Sequence, residues 1–290
     1  MFMQADYCIP CMLKMSVEII RGVTKDEKQV RKFMTDILKI KALRWEKVAI
    51  TPPEVARDVW FRMQQFSSIE DPLRATKAEQ NKKALKIYPF IKEILHESSD
   101  PILEALKFAI AGNSIDAMLD AKRGMDSKII KLLSSINVKD VEVLKRRFKK
   151  AKKIVYFTDN CGEIVFDRLL IERIKEVYNS QVTAVTRTVP ILNDAIMEEA
   201  LSIGLGDVTM VIENGIQEPL PGTILSKVSP EIKAAVEESD LIISKGGGNY
   251  ETLTEEESLK GRITYLFQAK CYPYCRIHNV PLGALIVYNN

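Results

Sequence analysis

Residues 154 to 167, IVYFTDNCGEIVFD, carry a strand-like apolar run into Asp159, Asn160, Gly162 and Glu163, after which a helical pattern begins. An apolar run of this kind reads as an internal strand of a parallel sheet, and open α/β sheets bind ligands beyond the carboxyl ends of their strands. A carboxylate and an amide at such a mouth are set out like ligands for a hard cation. Oxygen donors with no His or thiolate cluster beside them suit magnesium or manganese better than zinc, while Cys161 leaves softer ions such as cobalt or nickel open. The same residue types also build an ordinary strand-to-helix turn with its N-cap, and this stretch alone does not separate the two.

Three more polar clusters follow expected strands: Thr186 and Arg187 with Pro190, Asn193 and Asp194; Lys245 through Glu251, KGGGNYE; and Lys270 with Cys271. Parallel strands bring all of them to one edge. Asp194 adds a second carboxylate, so Asp159, Asn160 and Asp194 together offer two negative charges to a divalent ion. A phosphate entering such a site needs a further cation, for which Lys270, Lys245 and Arg187 are the candidates. Gly246, Gly247 and Gly248 allow backbone N–H groups close to an anion, although a tight turn explains the triplet equally. Glu163, one turn before Asp167, either orients a water or caps its helix.

The elements that must position these groups fall into two textures. From Pro10 to about Phe148 apolar residues recur at helical spacing, as in Val30, Phe33, Met34, Ile37 and Leu38, with breaks at Gly22, Thr51 to Glu54, Asp71-Pro72, Asp100-Pro101 and Gly112-Asn113. After Ala151 short β-rich runs alternate with helical patterns: Ile154 to Phe157, Val182 to Val185, Val208 to Ile212, Leu241 to Ser244, Ile263 to Leu266 and Leu285 to Tyr288. The fold class expected is α/β, with a helical domain over 1–150 and a Rossmann-like α/β/α domain with a mostly parallel sheet over 151–290, which carries the metal site.

The chain has 290 residues, 46% of them hydrophobic, enough for a substantial core. No apolar run reaches transmembrane length, and Asp6, Lys14 and Glu18 interrupt any leader-like stretch, so no membrane association and a cytoplasmic location are expected. Net charge is near +9 over 1–150 and −6 over 151–290. Basic and acidic residues alternate in the first part as on solvated helices, so nucleic acid is not an expected partner. The run from Lys145 to Lys153 fits a helix C-terminus at the junction. Abundant Lys and Glu fit a thermophilic source.

Cys8, Cys11, Cys271 and Cys275 form two pairs that resemble halves of a zinc site, with a disulfide or plain buried thiols as rivals. The first pair is expected to precede a helix and does not follow a strand as a redox motif does. His96 and His278 have no ligand spacing, so Ser-His-Asp and zinc-hydrolase chemistries lack parts.

Asp159-Asn160 with Gly162-Glu163 and Asp167, Leu192-Asn193-Asp194, the KGGGNYE run and Lys270-Cys271 together resemble the damage-control phosphatases. Gly112-Asn113-Ser114-Ile115-Asp116 extends the resemblance towards the N-terminus, as does the Cys8-Cys11 pair, which is typical of the family's stand-alone prokaryotic branch. The resemblance implies metal-dependent hydrolysis of phosphate monoesters on small metabolites, such as sugar phosphates, nucleotides or damaged phospho-metabolites. It places the metal on Asp159, Asn160 and Asp194, the phosphate on Lys270, and the substrate beside Asn113, Asp116, Asn249 and Glu251. Phe267-Gln268-Ala269-Lys270 keeps only the lysine of the Arg-Thr-x-Lys motif of the eukaryotic branches, so their sugar-phosphate preference does not transfer. Other readings are a carboxyl methyltransferase using S-adenosylmethionine, for which the turn after the first strand, Asp159-Asn160-Cys161-Gly162, is not the glycine-rich one such a pocket needs, and a non-catalytic metal- or nucleotide-binding module.

Overall fold

The computed structural model describes residues 3–47, 49–112 and 131–290. Helices α1 (Ala5–Val23), α2 (Glu27–Ile37) and α3 (Pro52–Ser67) pack on one another through Ile20, Phe33, Ile37, Val59, Trp60 and Met63. Their starts follow the expected signals. Asp26 accepts from Lys28 N at 2.8 Å, and Glu54 reaches back to the backbone N–H of Thr51 at 2.9 Å with Pro52 as the first helical residue. One boundary differs: α1 starts at Ala5 and runs through Pro10, so Cys8 and Cys11 lie inside the helix on adjacent turns. Pro10 removes a single helix hydrogen bond, which the packing of Met12, Ile19 and Ile20 tolerates.

Helices α4 (Arg74–Glu97), α5 (Pro101–Ala111) and α6 (Val138–Lys150) belong to another core, in which Ala84, Ile87, Ile91, Leu106, Leu144 and Phe148 cluster with Ile154, Tyr156, Ile243 and Leu266 of the sheet. The helical part of the sequence thus divides into a group with its own core and a layer that covers one sheet face.

The strands are β1 (Lys153–Phe157), β2 (Gln181–Thr186), β3 (Met210–Glu213), β4 (Leu241–Lys245), β5 (Ile263–Gln268) and β6 (Leu285–Asn289). They lie in the order β3-β2-β1-β4-β5-β6, all neighbours parallel except β5 with β6. Alternate residues feed opposite cores: Ile154 and Tyr156 face α5 and α7 (Glu163–Tyr178), while Val155 and Phe157 join Ile232, Tyr250 and Leu253 on the other face. Two covered faces explain why the strands read as unbroken apolar runs. β3 starts two residues later than expected, because Val208 closes a short helical turn and the Thr209 hydroxyl donates to the Val182 carbonyl. The remaining α-helices among the described residues are α8 (Met197–Ser202), α9 (Pro230–Glu238), α10 (Gly246–Leu253) and α11 (Tyr272–His278). No helix among the described residues is long and apolar enough to cross a membrane.

From β1 the chain moves outward through β2 and β3, then returns to β4 on the other side. The strand order therefore reverses between β1 and β4, and that switch point opens a crevice at their carboxyl ends.

Candidate active site

Asp159 and Asn160 stand two and three residues beyond β1, in that crevice, and are 7% exposed each. The segment after β2 folds back against them: Cys161 N donates to Asn193 O at 2.8 Å, Ala195 N donates to Asp159 O at 2.8 Å, and Asn160 pairs with Asp194 as an antiparallel bridge. Leu192 adopts a left-handed φ of 46° in this segment, with Ile191 and Leu192 packed on the α1–α3 core. Backbone of this sort is held only where surrounding contacts over-determine it, and here it delivers Asp194 to Asp159 and Asn160.

The turn is pinned from a third side. Gly162, at φ 80°, donates its N–H to Asn81 Oδ1 of α4 at 2.5 Å. Across the crevice α10 begins at once after β4, and a Cβ on Gly246 would lie 2.0 Å from Asp159 Oδ2. On Gly248 it would lie 1.8 Å from the Pro221 carbonyl. The glycine run thus brings the start of α10 against Asp159, in place of a free-standing turn.

A cavity of about 340 Å³ opens over these residues. It is lined by Asp159, Asn160, Asp194 and Glu163, by Gly246 to Gly248, Glu251, Lys270 and Tyr274, and by Tyr7, Cys8, Cys11, Met12, Pro52 and Pro53 of α1 and α3. A larger cleft of about 540 Å³ between α4 and α8 lies away from this donor set.

Burial raises Asp159 well above the ordinary carboxylate range, helped by the charges of Asp194 and Glu163, while Arg187 and Lys270 pull the other way. Asp194 is likewise raised, by burial, against the charge and hydrogen bond of Arg187. Two facing carboxylates that resist ionising are short of positive charge, which a divalent ion supplies. Asn160 Nδ2 donates to Asp159 Oδ2 at 2.7 Å, so its amide oxygen is the end suited to a ligand. Two carboxylates and an amide are hard oxygen donors and fit magnesium or manganese. Cys161 does not line the cavity. Its side chain is buried in the apolar core, which raises the thiol and takes this soft donor away from Asp159, Asn160 and Asp194.

The structure also sorts the expected substrate contacts. Glu163, Glu251 and Lys270 line the cavity; Arg187, Lys245 and Asn249 are buried and do not. Lys245 directs its ammonium away from the cavity, donating to Ala109 O at 2.7 Å, Glu163 Oε1 at 2.5 Å and Asp167 Oδ1 at 2.7 Å. It therefore serves as counter-ion to α7, not as a cation facing phosphate, and Lys270, which is exposed, is the lysine in the cavity wall. Asn113 and Asp116 lie outside the described residues. All five cysteines are free thiols; Cys8, Cys11 and Cys271 face the cavity, and Cys275 packs against the core of the other sheet face. Among the described residues no group of three His, Cys, Asp or Glu side chains is placed to hold a metal. His278 packs between Tyr250, Phe267 and Tyr288.

Sequence reasoning missed Asn81, Tyr274 and Thr223. Asn81 has a legible signal: Lys77, Asn81, Ala84 and Ile91 share the buried face of α4, and a polar residue on an apolar stripe needs a partner.

The chain is thus an open, doubly wound α/β protein of six strands, the class whose ligand sites lie at the switch point, with two carboxylates, an amide and a lysine lining the cavity there. Residues 4–286 match the damage-control phosphatase ARMT1-like domain, and the chain belongs to that family. It is 33% identical over 286 residues to the damage-control phosphatase PH1575 of Pyrococcus horikoshii, covering 98% of this chain and 96% of that one. It is 32% identical to a damage-control phosphatase of Archaeoglobus fulgidus, covering 96% of each. The crystal structure of the Pyrococcus horikoshii protein superposes with a TM-score of 0.86 at 31% identity, over 100% of this chain and 99% of that one.

Proposed function

We propose that the protein is a divalent-metal-dependent phosphatase that removes phosphate from small phosphorylated metabolites. The observation that carries this reading is the convergence of Asp159, Asn160, Asp194 and Lys270 on one cavity, in a chain of the damage-control phosphatase family. Asp159, Asn160 and Asp194 would hold the ion, which when bound would draw charge from a phosphoryl oxygen. Lys270 offsets charge on the remaining oxygens, and the backbone N–H groups at the start of α10 face the same anion. The cavity's size suits a small ester.

The test is phosphate release from an aryl phosphate, sugar phosphates and nucleotides by chelated protein resupplied with magnesium, manganese, cobalt, nickel or zinc. Turnover is expected to return with magnesium or manganese and to vanish in Asp159→Ala and Asp194→Ala proteins of unchanged melting temperature. Lys270→Ala should lower kcat/KM by roughly 10²–10³, the usual cost of losing one stabilising group for developing charge. Turnover that survives chelation, or an active Asp194→Ala protein, would refute the assignment.

A further inference from the structure

We propose that Arg187 is the positioning residue of the metal site, setting Asp194 and Asp159 from behind the cavity wall without touching substrate. This rests on the metal-dependent reading above. Arg187 is 3% exposed and absent from the cavity surface. Its Nε donates to Asp194 Oδ2 at 2.7 Å, which leaves Oδ1 as the oxygen to meet an ion. Its Nη1 is within hydrogen-bond range of Gly222 O at 2.9 Å, Asn249 Oδ1 at 3.0 Å and Thr223 Oγ1 at 3.1 Å. Asn249 in turn receives the Thr223 hydroxyl at 2.8 Å and donates to the carbonyls of Thr158 and Lys245, the residues that precede Asp159 and Gly246. The guanidinium plane is thus fixed to the ends of both strands that flank the crevice.

The remaining nitrogen, Nη2, is buried with no hydrogen-bond partner among the described residues and stands 3.9 Å from Asp159 Oδ1. A buried guanidinium N–H without a partner is costly, and a fully anchored residue that keeps one directs attention to the group it faces. Here that group is the second carboxylate of the donor set. One cation with a rigid fork therefore addresses both carboxylates, reduces their repulsion and fixes their separation before any ion arrives. A lysine cannot do this, because an ammonium is a point charge without the planar fork. Groups that hydrogen-bond to metal-ligating side chains typically set affinity by about 10–100-fold.

The experiment is calorimetric titration of the chelated full-length protein with Mn²⁺, alongside melting temperature and KM for an aryl phosphate at saturating Mn²⁺. Arg187→Lys is expected to raise the Mn²⁺ Kd by about 10–100-fold while leaving that KM nearly unchanged. Thr223→Val, a gentler change that removes one partner of Nη1, should raise Kd in the same direction by a smaller factor and guards against a misfolded Arg187 variant. A raised KM with unchanged Kd would make Arg187 a substrate contact and overturn the proposal. So would a lowered melting temperature with both constants unchanged. Wild-type protein that takes up no Mn²⁺ would overturn the metal reading and this inference together, whereas tight Mn²⁺ uptake without phosphate release would leave the Kd comparison to decide this one alone.

Discussion

At Gly246 the start of α10 comes directly against the Asp159 carboxylate. The glycine's φ of 80° is costly for any residue with a Cβ, and that Cβ would fall 2.0 Å from Asp159 Oδ2. Gly246→Ala must move either the start of α10 or the Asp159 carboxylate. We expect it to cost about 1–3 kcal/mol of stability, read as a lower midpoint in chemical denaturation, and to weaken Mn²⁺ binding in calorimetry. A variant with wild-type affinity would show that Asp159 is not placed by this contact. At this scale the sequence was informative where a residue's own chemistry states its need. Asp159 and Asn160 sit where a strand end and oxygen donors coincide, Asp194 lies in the segment after β2 that folds back on them, and the glycine run marks a close approach. Asn81 was not legible as a support for the turn, because its partner, the Gly162 N–H, belongs to a segment 81 residues away.

Lys245 shows what elements add to residues. It ends β4, and strand alternation puts Leu241, Ile243 and Lys245 on one face, the face that α5 and α7 cover. That parity is readable in the sequence and assigns the ammonium to the core side; reading Lys245 by charge alone set it opposite a phosphate. On that side it joins Glu163 and Asp167 of α7 to the carbonyl of Ala109 at the end of α5, and Tyr156 of β1 donates to the same Asp167 oxygen at 2.7 Å. Against the burial penalty, Asp167 and Glu163 raise the Lys245 pKa, so it stays charged. Removing one partner of such a buried cluster typically costs about 3–5 kcal/mol, since the charges left behind stay uncompensated. Lys245→Met should therefore lower the denaturation midpoint sharply. Lys153→Met, which breaks an exposed pair with Glu238, should leave it almost unchanged, because solvent screens such a pair. Equal effects from the two would mean that the buried cluster does not hold α5, α7 and β4 together.

The cavity belongs to the whole molecule, because residues of α1 and α3 line it together with residues at the ends of the sheet. The alternation of strands and helices made the sheet legible, but the docking of α1 to α3 over its edge depends on contacts such as those of Ile191 and Leu192, which no local pattern announces. Closing the cavity in this way encloses Glu251, which accepts a hydrogen bond from Tyr274 at 2.7 Å. Burial raises its pKa from an ordinary 4.5 to about 7, against the Tyr274 hydrogen bond, which lowers it. Between those two values the folded chain binds more protons than the unfolded one, so Glu251's contribution to stability is full below about pH 4.5 and is lost as pH rises through about 7. His278 acts with the opposite sign. Burial lowers its pKa, so its contribution is present above the ordinary value of 6.5 and is lost as pH falls through its folded value. Allowing for Glu251's partial exposure, its share is on the order of 1–2 kcal/mol. Urea denaturation at intervals from pH 5 to 8 should reveal a loss of about that size on the alkaline side, and Glu251→Gln, which keeps the shape but cannot ionise, should remove it. An unchanged pH profile in Glu251→Gln would mean that α1 and α3 do not close over this carboxylate in solution.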